Sequence, residues 1–78
     1  MEKERLDNGY VTTTVSEVYK RLGERKFGSF LGMLDMAIDN GYRLRNRLRL
    51  FTELNGVYDI DYKEMVEVFK FKLWMRGY

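Results

Sequence analysis

The sequence predicts a small α+β domain, and three observations carry the prediction. Capping-box spacing and a 3.6-residue apolar period mark helices in the first half of the chain. From Tyr42 the period changes to two, and an Asn55-Gly56 pair then stands between two β-prone runs. The expected order is short strand, helix, helix, β-hairpin, helix, forming one domain over residues 10–78 after a flexible arm at 1–9. A chain of 78 residues is near the lower limit for a core without disulfides or metal, so oligomerisation is an expected source of further burial.

Met1 to Gly9 is polar, shows no apolar period and ends in the turn-forming pair Asn8-Gly9, which reads as a frayed arm or a single helical turn. Tyr10-Val11-Thr12-Thr13 is β-branched and aromatic and reads as a short strand. Thr14 and Glu17 have capping-box spacing ahead of Val15, Val18, Tyr19 and Leu22, and Gly23 is placed to end that helix in the left-handed conformation. A second helix is expected to start near Ser29, stapled by Phe27, with Phe30, Leu31, Leu34, Ala37 and Ile38 on its apolar face and Asn40-Gly41 closing it. Met33 and Met36 fall off that face, as gap fillers of a small core or as a soft partner-binding surface. Gly28 and Gly32 form a small-xxx-small pair that carries little information outside a membrane span.

Leu48 to Leu54 and Val57 to Asp61 flank Asn55-Gly56 as the two strands of the expected hairpin. Leu44, Leu48 and Phe51 also fit a helical face, which is the competing reading. Asp61 and Glu64 repeat the capping-box spacing, and Tyr62, Met65, Val66, Phe69 and Leu73 continue as a helical stripe, although Phe69, Phe71 and Leu73 alternate with lysines as a strand would. Val68, Phe71 and Met75 lie on nearly the opposite side. A helix apolar on two sides suggests a homodimer, with Val68, Phe71, Trp74 and Met75 as its interface.

The absence of Cys and His removes the usual zinc and iron–sulfur ligands, thiol nucleophiles and imidazole acid–base chemistry. The chain is therefore expected to be no enzyme, with no cofactor and no metal. No run is long and apolar enough for a membrane span, and the charged start is no signal peptide, so a soluble cytoplasmic protein is expected. Net charge is only +2, but it is unevenly spread: Lys20 to Arg49 holds eight basic residues against three acidic ones, and Leu50 to Glu67 five acidic against one basic.

Within the basic half, Arg43, Arg45, Arg47 and Arg49 alternate with mostly apolar residues, so an extended backbone would align four guanidinium groups on one face. Arginine presents a planar fork that fits phosphate, which makes duplex DNA the first partner to consider. Lys20, Arg21, Arg25, Lys26 and Ser29 would assist near the inter-helix turn. Thr14 to Gly23, the spacing of Phe30, Leu34, Ala37 and Gly41, and the hairpin at Asn55-Gly56 together resemble the winged helix-turn-helix superfamily over Tyr10 to Ile60. The resemblance implies a first helix, a recognition helix and a wing, and a transcriptional regulator. Asp35 and Asp39 on the would-be recognition helix oppose entry into a major groove, which leaves phosphate contact as the implied mode. The alternative is a protein-interaction module, an inhibitor or adaptor, using Met33, Met36, Phe71, Trp74 and Met75 as an apolar contact.

Overall fold

The computed structural model describes residues 5, 6, 9, 10, 12–42 and 46–77. Its fold is helical: α1 (Thr13–Asp39), α2 (Leu48–Tyr58) and α3 (Tyr62–Met75). The strands among the described residues are β1 (Arg5–Leu6) and β2 (Gly9–Tyr10), an antiparallel two-residue ladder pairing Arg5 with Tyr10 and Leu6 with Gly9. This overturns the α+β, winged-helix-like expectation, and the DNA-binding and transcription-regulation readings lose the wing they rested on.

Of the expected strand at Tyr10–Thr13, Tyr10 belongs to β2, Val11 lies outside the described residues, and Thr13 already opens α1. Thr12 has extended dihedrals and its Oγ1 accepts from the Val15 amide at 3.1 Å, so Thr12, not Thr14, caps α1. Gly23 does break the helix, but with φ 85° and ψ 164° it adopts an extended mirror conformation rather than the left-handed helical one, and the chain resumes its helix at once. A straight helix of 27 residues would be about 40 Å long. The longest dimension of the molecule is 32 Å, so the bend at Gly23 is what folds α1 into the domain. It also brings Tyr19 and Phe27 edge to face with ring centroids 5.1 Å apart; along a straight helix their backbones would be separated by about 12 Å. The C-terminus of α1 closes as the sequence predicts. Asn40 is the C-cap, Gly41 takes φ 90°, and amides of Gly41 and Tyr42 donate to Ile38 and Ala37 oxygens at 3.0 and 2.9 Å.

The expected hairpin is helix α2, and Asn55-Gly56 lies inside it. An isolated two-stranded ribbon is marginal in water, whereas a helix buries Phe51 and Leu54 on one side. Phe51 meets the rings of Tyr62 and Phe69 at 5.6 and 5.7 Å. The period-two reading gives Leu48 an apolar face to join; in the helix it stands 66% exposed in the first turn. Asn55 serves the α2–α3 turn instead of a hairpin turn: its side-chain amide donates to the Ile60 oxygen at 2.7 Å, and Asp59 takes the left-handed conformation that stops the helix. Asp61 then caps α3 by accepting the Glu64 amide at 2.8 Å.

α3 is the central element. Its Phe69 side packs on α2, while its Glu64 and Lys72 side faces α1, with Val68 and Met65 fully buried. Phe30 and Leu34 of α1 and Ile60 complete the core. The two apolar sides of α3 thus meet two helices of the same chain.

Two glycines test this fold. Gly56→Ala should stabilise the protein by about 1 kcal/mol in urea unfolding, because the position is an open helical site; a hairpin turn needing positive φ would be destabilised by the same change. Gly23→Ala should cost about 1–3 kcal/mol, since L-residues rarely adopt its dihedrals; a neutral result would contradict the bend.

Candidate functional site

Among the described residues, the two arginines of the expected stripe, Arg47 and Arg49, do not stand on one strand face. Arg43 and Arg45 lie outside the described residues. Arg47 precedes α2 with helical dihedrals, and its guanidinium lies 5.1 Å above the Tyr62 ring. Arg49 is on α2, exposed, 3.8 Å from Glu53 one helical turn on. Arg47 and Arg49 therefore do not share the face of a strand.

The basic residues near the expected inter-helix turn have separate surroundings. Arg21 donates to Glu64 of α3 at 2.6 Å, and this bond raises the guanidinium pKa above its ordinary value. Lys20, Arg25 and Lys26 are exposed on α1. The Ser29 hydroxyl is hydrogen-bonded to the Tyr58 hydroxyl at 2.9 Å, tying α1 to α2. Tyr58 also lies 3.3 Å from the Met33 sulfur and tilts against Phe30, with ring centroids 5.2 Å apart.

Sequence reasoning missed Arg76. It caps α3 and reaches back to α1, donating to Asp35 Oδ1 at 2.6 Å, Asp39 Oδ1 at 2.7 Å and the Asp35 carbonyl at 3.3 Å. Lys72 adds a contact to Asp35 at 3.9 Å. Hydrogen bonding to Asp39, then Asp35, holds the Arg76 pKa above its ordinary value. The sign is that of a raised cation: its contribution is present throughout the neutral range and is lost only as pH rises through the folded-state value. The two aspartates that the sequence turns toward solvent on a recognition helix thus hold the end of α3.

Of the expected dimer residues, Val68 is fully buried and Phe71 nearly so within the chain. Met75 is half-buried, and Trp74 is 48% exposed and stacked on the Phe71 ring at 5.9 Å. The large apolar groups left outside α1's packed side lie elsewhere: Met36 is 64% exposed and Met33 39%, on the outer side of α1 beyond Gly28 and Gly32. Both glycines have open space where a Cβ would stand. The methionines are therefore a surface feature, with Met36 far from a gap-filling role.

Among the described residues no cluster of carboxylates could hold a metal ion, and no helix is long and apolar enough to cross a membrane. Comparison with protein-family models, curated proteins and solved structures found no match.

Arg76→Gln should lower the melting temperature, with a smaller loss in ~1 M salt, where the screening length falls to about 3 Å. An equal loss at low and high salt would show that the ion pairs contribute nothing.

Proposed function

We propose that the chain is a protein-interaction module whose contact surface is the outer side of α1, around Met33 and Met36. The observation that carries this reading is Met36, a large flexible apolar side chain left 64% exposed on the side of α1 opposite its buried Phe30 and Leu34. Unbranched thioether side chains adapt to the shape of a partner, and exposed polar and charged residues on the same helix supply a rim. Tyr58 supports one edge by its contacts to Ser29 and Met33, and the Arg76 clamp supports the other. Binding rather than catalysis fits a chain without Cys or His.

Phosphate contact by the arginines receives less support. Arg21 is engaged with Glu64, Arg47 rests on Tyr62, and Arg49 stands apart on α2. A photo-crosslinking residue at position 36 of the full chain should capture protein, and excess wild-type chain should compete while a Met33→Ser/Met36→Ser double variant should not. The same photo-crosslinking residue in place of Lys63 should capture nothing. Salt-dependent binding to duplex DNA that the double variant leaves unchanged, with no specific adduct at position 36, would overturn the proposal.

A further inference from the structure

Resting on the reading of α1 as a contact surface, we infer that the partner is a second copy of this chain, docked antiparallel across the outer face of α1 with Gly32 at the two-fold axis. The face consists of Arg25, Gly28, Gly32, Met36 and Asp39, all exposed. At 3.6 residues per turn these five positions fall on one side of the second arm of α1. Their spacings, read from either end, are 3, 4, 4 and 3 residues, so the row is symmetric about Gly32.

That symmetry makes the face complementary to itself. A two-fold contact places residue i of one copy against residue j of the other, and j against i. With Gly32 on the axis of an antiparallel pair, Met36 of each copy meets Gly28 of the other, and Arg25 of each meets Asp39 of the other. A large apolar side chain then enters the open space over a glycine, and opposite charges meet at both ends. The Asp39 carboxylate accepts from Arg76 through Oδ1, yet its side chain is 60% exposed and remains accessible to a second cation. The glycines fit the same arrangement. Glycine is a poor residue for a helix interior, and neither Gly28 nor Gly32 is required by packing inside the chain, because nothing lies within 4 Å of where a Cβ would be. Both leave room for the close approach of another backbone.

A single helix pair buries less than a standard stable interface, so the dimer is weak, with a dissociation constant on the order of 10⁻⁵–10⁻⁴ M. Sedimentation equilibrium of the full chain from ~10 μM to ~1 mM, a range spanning that constant, should show monomer passing to dimer. Gly32→Leu should weaken association at least tenfold while leaving the melting temperature equal or higher. Arg25→Glu should weaken it by setting a carboxylate against Asp39 of the other copy, more strongly at low salt. A chain monomeric throughout that range, or a dimer unaffected by Gly32→Leu, would overturn self-docking. The crosslink at position 36 separates the two failures. Capture of a different protein, abolished by Gly32→Leu, sinks self-docking but keeps α1 as a contact surface, and no specific capture together with a monomeric chain removes both.

Discussion

The structure depends on the burial of α3 against two other helices at once. Met65, Val68 and Phe69 of α3 are fully buried, with α2 against one side of the helix and α1 against the other. In a chain of 78 residues, apolar burial is barely sufficient to offset the entropy of ordering the backbone, so a central helix used on both sides is the economical arrangement. The bend at Gly23 follows from it: the two arms of α1 reach the same core only if the helix turns.

The polar interactions are arranged around that core rather than within it. Arg21–Glu64 joins the first arm of α1 to the start of α3, and Arg76 with Asp35 and Asp39 joins the second arm to its end. Pairs this exposed add little stability individually; they join opposite ends of α3 to the two arms of α1. They also occupy charges that would otherwise be free to attract a polyanion. On the second arm of α1 the Gly28, Gly32 and Met36 row stays outside these interactions and exposed.

Much of the local structure is legible in the residues. Gly23, Asn40-Gly41 and Asp61 each mark a helix boundary or break through a mechanism confined to a few neighbouring residues. The segment after Tyr42 is not legible in the same way. Asn-Gly favours a hairpin turn locally, but the ring contacts of Phe51 with α3 decide the outcome, and those depend on residues in another element. The two-sided apolarity of α3 is visible in the sequence, but two helices of the same chain, rather than a second copy, account for it. Arg76 gives no signal because its partners lie 41 and 37 residues away in sequence. Met36 stands off the apolar face in the sequence, yet only its exposure separates contact surface from core filler.

The helical state of α2 and its packing on α3 are tested most directly by nuclear Overhauser spectroscopy on the full chain at a concentration where it is monomeric. The expected result is a set of Hα(i)–Hβ(i+3) contacts running through Asn55 and Gly56 from Leu48 to Tyr58, together with ring contacts from Phe51 to both Tyr62 and Phe69. Cross-strand Hα–Hα contacts between the residues flanking Asn55-Gly56 would contradict it. In that case α3 would lose its second neighbour, and the assignment of the α1 surface would lose its basis.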